Sequence, residues 1–178
     1  MWLKALITII LFYLLAVLQS SFFIHFNIMG TSPNLVLILF FIIVFFKKDI
    51  SYYEIMFWAF VSGFLLDVFS YSYFGVSIVL LSIAGISVKK IILSLRERED
   101  TYPIIYFVFL FLFFNIFYDI FSGLFLFFFD PAHIIFSFNL PLISKIFCNF
   151  IIAIILFYIY KSFITILGKK QPSKFYKL

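Results

Sequence analysis

Six apolar runs, each bounded by charges or by Pro, Gly and Asn, divide this 178-residue chain. They lie at about 5–24, 33–46, 52–71, 74–93, 102–129 and 140–167. A helix needs about 20 predominantly apolar residues to cross the hydrocarbon core of a bilayer. It also satisfies its own backbone where no water is present. None of the runs alternates apolar and polar residues as a membrane barrel strand would. The expected fold class is therefore an all-α integral membrane protein with six transmembrane helices. These form one domain over 1–168, followed by a basic tail at 169–178. Composition excludes the main alternative: 12% of residues are charged, about half the fraction that covers a soluble core. The 31 Phe are what AT-rich coding alone would favour, and no chemistry is read from them. Cys148 is the single cysteine, which excludes an intrachain disulfide or a cysteine metal cluster.

The second run is the short one. Its uninterrupted stretch from Leu35 to Phe46 corresponds to about 18 Å of helix. The charges require a span there nonetheless. With six spans, every Lys and Arg except Lys145 falls on one side: Lys4, Lys47, Lys48, Lys89, Lys90, Arg96, Arg98, Lys161 and the basic residues of the tail. The opposite loops (25–33, 71–74 and 129–140) contain no Lys or Arg. Basic loops stay cytoplasmic, so both termini are expected there, in a multi-pass membrane protein. Met1 to Lys4 resembles the start of a signal peptide, but Val17-Leu18-Gln19-Ser20 offers no small-x-small cleavage site. The first helix is read as retained. The segment Val88 to Asp100 places Ile91, Ile92 and Leu95 at helical spacing before a mixed charge run. It continues helix four toward the headgroups, as a solvated face or as a docking handle.

Ionisable groups are costly inside a bilayer, so each marks a candidate site. Asp67 and Asp119 sit in the related strings Asp-Val-Phe-Ser70 and Asp-Ile-Phe-Ser122, two spans apart on helices that run the same way. Gln19 lies at a similar depth on helix one, and Asn115 shares a face with Asp119 four residues on. Three helices thus bring a polar group to one level in the outer half of the bilayer. Lys145, five residues into helix six, is the available counter-ion. It either pairs with Asp67 or Asp119 or extends to the outer headgroups. Apart from Glu54 at the cytoplasmic start of the third run, the inner half of each helix has no acid or His, which favours hydrogen bonding between helices over an ion relay. Gly63 suits close helix contact, while Gly75 and Pro33 suit turns. His25 and His133 stand in separate outer loops without metal-ligand spacing. No nucleophile elbow, Gly-rich phosphate loop or zinc motif occurs. Neither an enzyme, nor a metal or other cofactor, nor nucleic-acid binding is expected.

Three strings in order carry a family resemblance. Gln19-Ser20-Ser21 ends helix one, and Pro33-Asn34-Leu35 opens a short leucine-rich helix. Gly63-Phe-Leu-Leu-Asp67-Val-Phe-Ser70-Tyr-Ser72-Tyr-Phe-Gly75 leads into helix four. Over about residues 15–90 the chain resembles MreD, the rod-shape-determining membrane protein of bacteria. The family's usual Gly and Pro in the last string are Tyr71 and Tyr73 here. The resemblance implies a non-enzymatic scaffold of the cell-elongation complex. Its partners would be an MreC-like single-span protein, RodA, the elongation transpeptidase, the actin-like MreB indirectly, and membrane lipids. It would help direct side-wall peptidoglycan synthesis. It also implies similarity in fold to the substrate-binding subunits of energy-coupling-factor vitamin transporters. Substrate capture for such a transporter is the competing expectation.

Overall fold

The computed structural model describes residues 2–23, 25, 31–47, 49–69, 73–96, 103–129 and 140–168. Six helices follow in order: α1 (Trp2–Ser21), α2 (Leu35–Phe46), α3 (Tyr52–Phe69), α4 (Val76–Arg96), α5 (Pro103–Phe129) and α6 (Leu140–Gly168). Four of them, α3 to α6, are long and apolar enough to cross a membrane, and α1 and α2 supply shorter apolar stretches. Boundaries depart from the sequence expectation by a few residues, for local reasons. The start of α1 meets no helix breaker and reaches back to Trp2. α2 begins after Pro33 because Asn34 is its N-cap, with the Asn34 side chain accepting from the Leu37 N–H. α4 runs on to Arg96 through the amphipathic segment. Ser70, the charge run after Arg96, the loop containing His133 and the tail 169–178 lie outside the described residues.

The short helix is the centre of the molecule. α2 packs against all five other helices, and eight of its 12 residues are buried. Around it, α1 packs on α3, α3 on α4, α4 on α5 and α5 on α6. The ring stays open: among the described residues α6 does not pack on α1. The least covered residues of α2 include Leu39, Ile43 and Phe46, one helical stripe at i, i+4 and i+7. Phe46 packs on Phe107 of α5 and Phe157 of α6, which leaves Leu39 and Ile43 as the part of the stripe toward the gap between α1 and α6.

Lipid tails are as apolar as the side chains, so burial from water does not drive these helices together; close packing does. Phenylalanine supplies much of it. The Phe41 ring of α2 meets Phe107, Phe111 and Phe114 of α5 at centroid distances of 5.4, 5.2 and 5.3 Å. Phe157 of α6 reaches Phe107 at 4.7 Å and Phe46 at 5.5 Å. Whatever set the Phe content, seven of its rings are buried in the core, while others such as Phe109 and Phe128 face outward. Glycine brings the backbones together elsewhere. A Cβ at Gly63 would lie 2.6 Å from the Cα and N of Ile78, so α3 and α4 touch there backbone to backbone. Gly85 lets α4 approach Ile55 and Phe40 in the same way.

Both ends of α2 are closed by protein groups. At its far end, Lys47 pairs with Glu54 at 2.7 Å. Ser51 and Glu54 form a capping box for α3: Ser51 Oγ accepts from the Glu54 N–H, and Glu54 Oε2 accepts from the Ser51 N–H.

Candidate functional site

The first turn of a helix leaves N–H groups without partners, and a short central helix cannot send them to water. Side chains from α1 and α6 take them instead. Gln19 Oε1 accepts from the Leu35 N–H at 2.9 Å, and Asn149 Oδ1 accepts from the Asn34 N–H at 2.7 Å. Pro33, buried beside them, has no N–H to satisfy. Asn149 passes the connection on, its amide donating to Asn115 Oδ1 of α5 at 3.1 Å. Asn34, Asn115 and Asn149 are all buried. Three helices are thereby joined at the start of the fourth. Gln19 and Asn115 belong to the polar set expected from sequence. Asn149 does not, although an Asn inside an apolar span carries the same signal as the acids.

The two aspartates, similar in sequence, do different work. Asp67, near the end of α3, accepts from the Gly75 N–H at 2.7 Å and the Ser77 N–H at 3.1 Å. It thus clamps the turn into α4 and caps that helix across the connection. Gly75 has φ +95°, and no atom lies near a Cβ placed there, so glycine serves its backbone conformation. Ser77 continues the link to α5, its hydroxyl lying 2.8 Å from the Tyr118 hydroxyl. Asp119 instead meets Lys145, with Nζ donating to Oδ1 at 2.7 Å. The Asp119 side chain is 4% exposed and that of Lys145 32%. Of the two carboxylates within expectation, the structure brings Asp119 to the lysine. Asp119 Oδ2 and Asn115 Nδ2 are buried without a partner, one turn apart on α5.

These groups surround a cleft of about 270 Å³ at the end of the bundle where α2 and α4 begin. Gln19, Asn34, Ser77, Tyr118, Ser122 and Lys145 line it. A second hollow of about 250 Å³, between α5 and α6, is apolar apart from Asp119. Among the described residues no cluster of His, Cys, Asp and Glu could hold a metal ion. His25 is exposed, with its ring nitrogen 2.9 Å from the Ser21 carbonyl.

A bundle of apolar helices, locked by buried polar bonds around a short central helix, defines a polytopic membrane protein of structural type. The chain belongs to the MreD family, matching the model of rod shape-determining protein MreD over residues 1–167. No curated protein and no solved structure matches it significantly. The family's role is rod-shape determination, as a structural membrane protein working with membrane-associated partners. The expected likeness to substrate-binding subunits of vitamin transporters finds no support in these comparisons, and transport is not carried forward.

Proposed function

We propose that this MreD-family protein is a non-enzymatic scaffold of the cell-elongation complex that seats the transmembrane helix of an MreC-like single-span protein. Through that partner it works with RodA and the elongation transpeptidase, and indirectly with MreB, in side-wall peptidoglycan synthesis. The observation that carries this reading is the open gap between α1 and α6. α1 and α6 are neighbours of α2 that do not pack on each other, and Leu39 and Ile43 of α2 are only partly buried. Close packing is what joins apolar helices in a membrane, so this gap suits a single apolar helix. The polar side chains of the interior support the same reading, because Gln19, Asp67, Asn149 and the Lys145–Asp119 pair hold helices in place. The distribution of Lys and Arg supports an orientation with both termini in the cytoplasm. The polar cleft then faces outward.

The test is affinity purification from the native host in mild detergent, with co-purifying proteins identified by mass spectrometry. Recovery of an MreC-like protein with RodA or the transpeptidase is expected. Recovery of ATP-binding-cassette ATPases with a coupling membrane protein would overturn the scaffold in favour of transport.

A further inference from the structure

In the cleft at the α2 and α4 end the amide oxygens are already used, and the Ser122 hydroxyl is spent on the Asp119 carbonyl. Gln19 Oε1 is taken by the Leu35 N–H and Asn34 Oδ1 by the Leu37 N–H. Their side-chain NH2 groups have no partner among the described residues, although Asn34 is only 5% exposed. Lys145 donates once to Asp119 and keeps its other N–H groups. Ser77 and Tyr118 need only one of their two hydroxyl hydrogens for their mutual bond. Asn34 immediately precedes α2 and Ser77 lies in the first turn of α4, so two helix starts border the same space, that of α4 already capped by the Asp67 carboxylate. Neither Asp67 nor Asp119 is among its lining residues.

We propose that this cleft binds an oxyanion, a phosphate group held by the Lys145 ammonium and the amide N–H groups of Gln19 and Asn34. At about 270 Å³ the space is slightly below the range of about 300–1,000 Å³ for drug-sized ligands. It fits a headgroup-sized group rather than a larger molecule. A phospholipid headgroup and free phosphate share this chemistry. The bound oxygen competes with Asp119 Oδ1 for the lysine, so Asp119 limits the affinity. This binding is separate from the scaffold reading.

The experiment uses the full chain. Inorganic phosphate is titrated calorimetrically in maltoside detergent, and phosphatidylglycerol retention is counted by native mass spectrometry against phosphatidylcholine. One saturable site per chain is expected for at least one probe. Lipid binding that free phosphate fails to displace identifies the headgroup as the source, and binding of phosphate alone identifies the free ion. Ser122→Leu fills the cleft while leaving the helix caps and the ion pair in place, and it should weaken binding by about tenfold or more, through steric exclusion of the anion. Lys145→Met with Asp119→Asn should do the same. Asp119→Asn alone frees the ammonium and should tighten binding, an effect that a purely structural lysine would not produce. No saturation with either probe, or binding indifferent to Ser122→Leu and to Asp119→Asn, overturns the proposal. Partner recovery by Ser122→Leu should match the parent protein, so failure here leaves the scaffold reading standing.

Discussion

Lys145 and Asp119 form an ion pair across α5 and α6 with Nζ 2.7 Å from Oδ1, while the second carboxylate oxygen is buried without a partner. Such a pair resists removal of one member more than removal of both, because a lone buried charge has no compensation. Lys145→Met is expected to cost about 3 kcal/mol, near the low end for a broken buried pair because the lysine is partly exposed. Adding Asp119→Leu should recover most of that loss. Equilibrium unfolding in mixed micelles measures both, and additive losses would show that the two side chains do not interact.

The start of α2 depends on acceptors from outside the helix. Gln19→Leu leaves the Leu35 N–H without its acceptor and should cost about 1–3 kcal/mol, the penalty for a buried unmade bond. Gln19→Glu keeps an acceptor oxygen and should cost less. Hydrogen exchange at Leu35 gives the local readout: faster exchange is expected in Gln19→Leu than in the parent chain. Unchanged exchange would mean that the bond does not protect the helix end.

Glycine at 63 and at 75 answers to different constraints. Gly63→Ala forces a methyl against the Ile78 backbone and should destabilise by about 1–3 kcal/mol through overpacking. Ile78→Ala should not rescue it, since the closest atoms are the Cα and N of Ile78. Gly75→Ala meets open space and should cost only the left-handed backbone penalty of about 1–2 kcal/mol. Thermal melting of the single and double variants separates the two causes.

How far the sequence reached depends on which physical signal was local. Apolar length and the one-sided placement of Lys and Arg required a short span at Leu35–Phe46, and the structure has a helix there. They could not show that this helix is central, because its neighbours are set by packing across the whole chain. Asp67 and Asp119 were found because an acid in an apolar span stands out. Their separate roles were hidden, since one bonds backbone N–H groups and the other a lysine 26 residues on. The Asn34–Asn149 bond spans 115 residues, and no helical spacing relates its partners. The open side of the ring has no sequence signature, because a helix facing lipid and a helix facing a partner have the same composition.

Asp67 acts through two backbone N–H groups, so its variants should rank by the acceptors they keep. Asp67→Asn retains one oxygen and should preserve more partner recovery than Asp67→Leu, with both proteins still inserted in the membrane. Equal recovery for Asp67→Leu and the parent would remove this turn from the assembly interface.

The gap between α1 and α6 is tested by site-specific photo-crosslinking in the native membrane. A benzophenone side chain at Ile43, toward that gap, is compared with one at Phe109 on the outer face of α5, which is 68% exposed. The scaffold account predicts a crosslink from position 43 to the transmembrane helix of the single-span partner, and lipid adducts from position 109. A partner crosslink from 109 with none from 43 would contradict it.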